Sequence, residues 1–270
     1  MILGDLDPDE HLRDPARRQI YVTTLFDTVA PSYDRFTRLF SFGMDARWKR
    51  QLAAWVAEVV RPGDLVADLA CGTGDVASAI DREIAGSRVR GMTNPRGVRL
   101  IGIDPNGAML RVAGGRLAPS QSSARSPDPA IARTISLLRA DLMSLPLPDA
   151  SVAAATVAYG FRNVPDAGVA LAEVARVVRP GGWVFDLDFF RPEAAAWRRL
   201  FLWYLRAAGR AVGRRWHREP EAYGYLARSL EGWVTPPDFR SLLERARFRV
   251  GPVVRHLGGG ICLHRAQRLA

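Results

Sequence analysis

Five short, almost wholly apolar runs alternate with stretches of helical spacing, and this alternation limits the folds open to the chain. The runs are "LVADLA" (65–70), "VRLIGID" (98–104), "ISLLRAD" (135–141), "VAAATVAYG" (152–160) and "GGWVFDLDF" (181–189). A strand with one wet face alternates apolar and polar residues, whereas one covered on both faces is apolar throughout. With helical segments such as "PDAGVALAEVARVV" (165–178) between them, the runs predict an α/β fold: a Rossmann-like, doubly wound, mostly parallel sheet. Before the first strand, residues 20–60 carry apolar side chains at helical spacing, broken at Pro31 and Gly43, which predicts two or three helices. The organisation expected is an N-terminal helical cap (1–60), a core (61–192), a late helical insertion (193–240) and C-terminal strands completing the sheet (241–270). The Gly-, Pro-, Ser- and Arg-rich segments 85–97 and 118–130 read as surface loops, the second as disordered. There is no internal repeat.

The first strand runs into a glycine turn, "VADLACGTGD" (66–75), and a helix begins near Asp75. Such a turn at the carboxyl edge of a sheet presents free backbone N–H groups beside the crevice. A triphosphate loop needs Lys and a hydroxyl residue after its last glycine, and Asp75 and Val76 stand there instead. A dinucleotide fingerprint is not excluded by the turn alone, because Ala77 is a permitted third member after Gly72 and Gly74. The acids decide between ligands. Asp68 ends the first strand, Asp104 the second and Asp141 the third. An acid at the second strand can accept both ribose hydroxyls, and one at the third can accept an adenine amine. Asp68 and Asp75 around the turn repel a pyrophosphate but suit a cationic ammonium and sulfonium. This order of acid, glycine turn, ribose acid and adenine acid resembles the S-adenosylmethionine-dependent methyltransferases of the Rossmann-like class, and the ligand that the resemblance implies, ahead of NAD, is S-adenosylmethionine.

The 270 residues are 48% hydrophobic and carry a net charge of +10, with Lys49 the only lysine. That balance suits nucleic acid, an anionic membrane surface or acidic substrates, and the arginine skew weakens any inference from it. The acidic start "MILGDLDPDEHLRDP" and the lack of an eighteen-residue apolar run predict a cytoplasmic protein. Cys71 and Cys262, the only cysteines, suggest neither a disulfide framework nor a metal site, and no metal is expected. Residues 193–218 interleave Trp197, Leu200, Phe201, Tyr204 and Leu205 with Arg198, Arg199, Arg206, Arg210, Arg214 and Arg215. This stretch reads either as a solvated face or as a docking face for a membrane, peripheral to it. No RNA-binding module supports nucleic acid as a partner.

Longer blocks narrow the reading. "FDTVAPSYDRFTRLFSFGMDARWK" (26–49), "LACGTGDVA", "YGFRNVPDAGVALAEVARVVRPGG" (159–182), "LDFFRP" (187–192), "YGYLARSLEGW" (223–233) and "GGGICLHRA" (258–266) resemble the ubiquinone/menaquinone C-methyltransferase family of the UbiE/MenG kind. "YG-RNV", "DFFRP" and "WYL" (203–205) lean towards its demethylnaphthoquinone branch. The resemblance implies methyl transfer from S-adenosylmethionine to a ring carbon of a prenylated hydroquinone, and association with other quinone biosynthesis enzymes. It implies cofactor binding by Tyr33, Asp68, Cys71, Gly72, Thr73, Gly74, Asp104, Asp141 and Leu142, with the Tyr33–Asp34 pair closing over the methionine end. Arg162, Asn163 and Tyr159 fall where the fourth strand ends, so Arg162 and Asn163 are candidate catalytic residues, and Asp34, Tyr159 and Arg162 candidate substrate contacts. Asp45 is the first candidate for the base, Asp34 the second and His264 the third. Plainer roles stand beside these: Arg162 paired with Asp166, Asp45 as a helix cap, Tyr33 as core, His264 as a structural residue of an edge strand. The chain departs from the family where Thr37 and Arg38 replace an amide and an acid, where Asp45 and Ala46 replace His and Arg, and at Arg228. Those changes leave open a methyltransferase of a specialised phenolic metabolite, or a non-catalytic cofactor-binding scaffold.

Overall fold

The structure, a computed structural model, describes residues 11, 14–41, 43–86, 97–118, 135–216 and 220–270. Segments 85–97 and 118–130, read above as loops, fall mostly outside them. Among these residues eight strands form one sheet: β1 (Leu65–Leu69), β2 (Arg99–Asp104), β3 (Ser136–Arg139), β4 (Val152–Ala158), β5 (Val178–Phe189), β6 (Phe248–Val250), β7 (Val254–His256) and β8 (Ile261–Arg268). The order is β3-β2-β1-β4-β5-β8-β6, with β7 also on β8. The first five are parallel, and β8 runs antiparallel to β5, β6 and β7. β4, "VAAATVA", is buried along nearly its whole length, as expected of a strand covered on both faces.

Among the described residues, the helices α1 (Pro15–Val29), α2 (Tyr33–Phe40) and α3 (Asp45–Val59) precede the sheet, with a short 3₁₀ turn at Ala30–Ser32. Within the sheet region lie α4 (Asp75–Gly86), α5 (Gly107–Leu117) and α6 (Ala167–Val177); after β5 come α7 (Ala195–Trp216), α8 (Pro220–Glu231) and α9 (Pro236–Arg245). From β1 the chain steps through α4 to β2 in one direction, and from β4 through α6 to β5 in the other. Right-handed crossovers taken in opposite directions put their helices on opposite faces, so the order reverses between β1 and β4. A crevice must open at that point, outside the carboxyl ends of those two strands.

The strand ends carry the strain that shapes the crevice. Ala70 after β1 has φ 52° and Tyr159 after β4 has φ 60°. Non-glycine residues in this left-handed region cost about 1–3 kcal/mol each and persist where surrounding contacts fix them. Tyr159 is fixed through its carbonyl, which accepts from Asn163 Nδ2 at 2.7 Å and Arg162 Nη1 at 3.2 Å.

β8 is an interior strand between β5 and β6, which corrects the edge-strand expectation for His264. His264 lies opposite Asp186 of β5, is 1% exposed, and packs edge-on against Phe190 and Phe239.

Candidate active site

The turn after β1 is held in place by β2. Gly72 N donates to Asp104 Oδ2 and Asn106 N to Asp104 Oδ1, each at 2.8 Å, while Cys71 N bonds the Ile103 carbonyl. Gly72 and Gly74 both sit at positive φ, 55° and 75°, for different reasons. A Cβ on Gly74 would meet Leu117 Cδ1 at 2.9 Å and Ala113 Cβ at 3.1 Å, whereas one on Gly72 would meet nothing within 4 Å and project into open space. Gly74→Ala should therefore lower stability by about 1–3 kcal/mol in a denaturant titration. Gly72→Ala should lose less stability than that and show its larger effect on ligand affinity.

The crevice is lined by Asp68, Cys71, Gly72, Thr73, Asp75 and Asp104. Asp141, Leu142, Tyr159, Asn163 and Tyr33 line it too, whereas Gly74, Asp34, Asp45 and Arg162 do not. Asp141 lies two residues past the end of β3, and its Oδ1 accepts from Met143 N at 2.8 Å. Leu142 is buried beside it.

Asp68 is 1% exposed. Thr156 Oγ1 donates to its Oδ1 at 2.6 Å, and its Oδ2 has no partner among the described residues. Burial, with Asp75 and Asp104 nearby, pushes its pKa up to about 7. Burial likewise raises Asp104 to about 6, against two backbone N–H donors that favour its ionised form. Burial also raises the Cys71 thiol well above its ordinary value, so it is no nucleophile. A buried carboxylate oxygen with no donor, beside an open glycine, suits a cationic ligand that approaches the backbone closely. The residues present fit S-adenosylmethionine.

The N-terminal helices cover the crevice by specific bonds. From α1, Arg18 donates to the Arg162 carbonyl at 2.6 Å, Gln19 approaches Asp141 at 3.5 Å, and Thr23 and Asp27 accept from Asn106 Nδ2, each at 3.1 Å. From α2, Asp34 accepts from Thr73 Oγ1 at 2.7 Å and pairs with Arg116, which also donates to Thr73. Asp34 thus ties cap to turn from outside the crevice. Tyr33 lines the crevice edge-on to Phe26, and desolvation holds its phenol above the ordinary pKa.

Two of the plainer roles weighed for these residues differ in the structure. Arg162 pairs with Asp188 at the end of β5, not with Asp166, which instead caps α6 by accepting from Gly168 N and Val169 N. The Arg162 guanidinium lies over the rings of Tyr159 and Phe189, at 5.7 and 5.3 Å, and its Nε has no partner among the described residues. Asp45 is not the cap of α3: Met44 holds that position without a side-chain bond. Its Oδ1 accepts from Tyr159 Oη at 2.6 Å and its Oδ2 lies 2.6 Å from Lys49 Nζ.

His264 stands apart from the crevice. Its Nδ1 is 3.1 Å from Asp186 Oδ2, and burial, with Arg255 and Arg240 beyond, lowers its pKa to about 3. It is a neutral core histidine. Asn163 Oδ1 accepts from Tyr225 Oη at 2.9 Å, which brings α8 to the rim.

The sequence reading missed Lys49 as a site residue. It is 5% exposed, lies between Asp45 and Asp75, and lines the crevice. Burial opposes its charge, but the two aspartates outweigh that and hold its pKa above the ordinary value. Its being the one lysine among 38 basic residues was the available signal. Gln19, Asn106 and Met109 also line the crevice unforeseen.

Comparison with known proteins agrees with this geometry. The chain is 32% identical over 253 residues to a demethylmenaquinone methyltransferase of Paenarthrobacter aurescens, covering 93% of this chain and 88% of that one. It is 37% identical over 240 residues (88% and 89%) to the ubiquinone/menaquinone biosynthesis C-methyltransferase UbiE of Syntrophotalea carbinolica. To a 2-phytyl-1,4-naphthoquinone methyltransferase of Synechococcus elongatus it is 38% identical over 184 residues (68% and 70%). A solved S-adenosylmethionine-dependent methyltransferase from Thermotoga maritima shares the fold with a TM-score of 0.53 at 16% identity, covering 92% of this chain and 99% of that one. The ubiE/COQ5 methyltransferase family matches residues 15–268. A carboxylate-lined crevice at the switch point of a Rossmann-like sheet, with the family's pattern running from α1 to β8, makes this chain a methyltransferase of the ubiE/COQ5 family.

Proposed function

We propose that the enzyme methylates a ring carbon of a prenylated hydroquinone of the demethylnaphthoquinol type, with S-adenosylmethionine as donor. The observation that carries the reading is the unpartnered, buried Asp68 Oδ2 at the end of β1, across the switch point from Tyr159 and Asn163 at the end of β4. Bound there, S-adenosylmethionine supplies a methyl group on a sulfonium, open to displacement by an electron-rich ring carbon. The chain's residues do the rest. Asp104, already anchored by two N–H groups, has lone pairs left for ribose hydroxyls, and Asp141 with Leu142 is placed for an adenine ring. Asp68 and the turn Cys71–Gly74 take the methionine end, with Tyr33 over it and Asp34 holding Thr73. Holding the ring carbon in line is worth several kcal/mol and up to about 7–11.

On the substrate side, Tyr159 and Asn163 face the ring. Tyr159 delivers a hydroxyl proton to Asp45, the base. Arg162 acts as a positioning residue, holding the Tyr159 carbonyl while Asp188 neutralises it. The names of the relatives support the quinol and its naphthoquinol ring. Incubation with labelled S-adenosylmethionine and demethylmenaquinol should label the ring, while soluble phenols should not be labelled. Label only on soluble phenols would favour a specialised-metabolite enzyme, and binding of the cofactor without turnover would favour a scaffold for other quinone biosynthesis enzymes.

No helix of the described residues is long and apolar enough to cross a membrane. The face of α7 suits docking at a membrane surface, because Leu200 and Trp203 are 53% and 60% exposed among the exposed Arg199, Arg206 and Arg210. Apolar side chains ringed by arginines match an anionic bilayer. Co-sedimentation with phosphatidylglycerol vesicles should exceed that with phosphatidylcholine and fall about tenfold in Leu200→Ser/Trp203→Ala. Equal binding by this variant would rule the face out.

A further inference from the structure

We propose that Tyr159 and Asp45, steadied by the Lys49–Asp75 pair, carry the proton released by ring methylation out of the crevice into a separate arginine-lined groove. The inference rests on the reaction proposed above. Replacing a ring C–H by C–CH₃ releases one proton per turnover, and a covered crevice needs side chains to export it.

The structure contains a second concavity behind the crevice wall. It is lined by Asp34, Thr37 and Arg38 of α2, Asp45, Ala46, Lys49 and Arg50 of α3, Asp75 and Arg82 of α4, and Arg116 of α5. Tyr159 lines only the crevice and Asp45 only the groove, while Lys49 and Asp75 line both. Among the described residues, the bond that joins a titratable residue lining only the crevice to one lining only the groove is Tyr159 Oη to Asp45 Oδ1, at 2.6 Å. Because Tyr159 donates in that bond, its oxygen is left as the acceptor for a hydroxyl in the crevice.

The proton makes two hops. The substrate hydroxyl proton passes to Tyr159 Oη as Tyr159's own proton passes to Asp45 Oδ1, leaving the O–H electron pair on the substrate oxygen. The ring carbon made nucleophilic in this way forms the new C–CH₃ bond, and the methyl–sulfur bond of the donor breaks with its pair left on sulfur. The ring C–H proton then restores the hydroxyl, so one proton leaves in net. Asp45 gives that proton to water in the groove, and Tyr159 is a phenol again.

The charges around Asp45 fit export. On its own helix stands Lys49, which also spans to Asp75 on α4, and Ser41 Oγ accepts from its backbone N. Tyr33 comes from α2 and Tyr159 from the loop after β4. Across the groove lie Arg38, Arg50, Arg82 and Arg116; of these only Arg116 has a carboxylate partner among the described residues. A cationic groove favours loss of the proton from Asp45 to solvent over its return. Lys49 keeps its charge throughout and fixes the Asp45 carboxylate.

Single-turnover methylation of demethylmenaquinol in H₂O and D₂O by the wild type, Asp45→Asn and Tyr159→Phe tests the relay. The wild type should show a solvent isotope effect on the chemical step. Asp45→Asn, which can still accept from Tyr159, should lose about 100-fold in kcat, with quinol KM and cofactor Kd changing far less, since Lys49 keeps its second carboxylate partner, Asp75. Tyr159→Phe should match it even if Asp45→Asn folds poorly. Wild-type kcat in either variant, or an isotope effect absent from the wild type, overturns the relay alone. No turnover of any demethylquinol by the wild type overturns the proposed reaction, and the relay with it.

Discussion

Affinity for S-adenosylmethionine should fall about tenfold for each pH unit below 7, while the free enzyme becomes more stable over the same range. Both effects come from Asp68. Burial pushes its pKa up to about 7, so the free enzyme holds it neutral below that pH. A cationic ligand needs it ionised, so binding below pH 7 releases a proton, and the affinity present above pH 7 is lost as pH falls. Below about 6 Asp104 takes up a proton as well, and the decline steepens. For folding the sign is opposite. A folded-state pKa above the unfolded one means that stability is fully present below about 4 and is lost as pH rises through about 7. Asp68→Asn should therefore raise the stability of the free protein at pH 8, by an amount on the order of a few kcal/mol, and at the same pH weaken cofactor binding by at least about tenfold. Calorimetric titration in buffers of unlike ionisation enthalpy measures the released protons, between one and two at pH 6 and near zero at pH 8. A dissociation constant flat from pH 6 to 8, with no proton released, would refute the assignment of Asp68 to the ligand's cation.

The strand-end acids were legible in the sequence because a buried parallel strand has its own composition, and an acid closing such a run stands out. Asp68, Asp104 and Asp141 needed no tertiary information beyond the order of the runs. The same holds for the turn, where Gly72 and Gly74 mark positive φ. Partnerships across the fold were hidden. Asp166 is four residues from Arg162 and looked like its partner, but a residue at the start of a helix satisfies the helix's own N–H groups first, and Arg162 reaches instead to Asp188, 26 residues on. Lys49 lies one helical turn from Asp45, visible as spacing, but its second partner, Asp75, is brought in only by the packing of α3 on α4. His264 was misplaced at an edge because β6, three residues long, gives too short a pattern to be read as the strand that covers it. The left-handed backbone at Tyr159 also has no sequence signal, since nothing but tertiary contacts keeps a tyrosine there.

Arg162→Met should be the most destabilising single change at the substrate side, by about 3–5 kcal/mol, a fall in Tm on the order of 10 °C. The reason is the carboxylate left behind. Asp188 is fully buried, two residues along the strand from Asp186, which is buried as well. Burial raises both above the usual carboxylate range, and Arg162 is the cation that opposes this in each. Without the guanidinium, Asp188 must either stay charged in an apolar setting or take a proton, so the deficit should grow as pH rises and shrink in acid, where protonation is cheap. Asp188→Asn in the Arg162→Met background removes the orphaned charge and should recover most of the loss; a double-mutant cycle separates this pair term from lost packing over Tyr159 and Phe189. Activity should not return with stability. Arg162 Nη1 is one of two donors holding the Tyr159 carbonyl in its left-handed conformation, and the double variant still lacks it. A doubly substituted protein as stable as the wild type but slow in turnover, with cofactor affinity intact, would separate the two roles of Arg162. Restored turnover would instead mean that Asn163 alone suffices to aim Tyr159, and that Arg162 serves only to neutralise the end of β5.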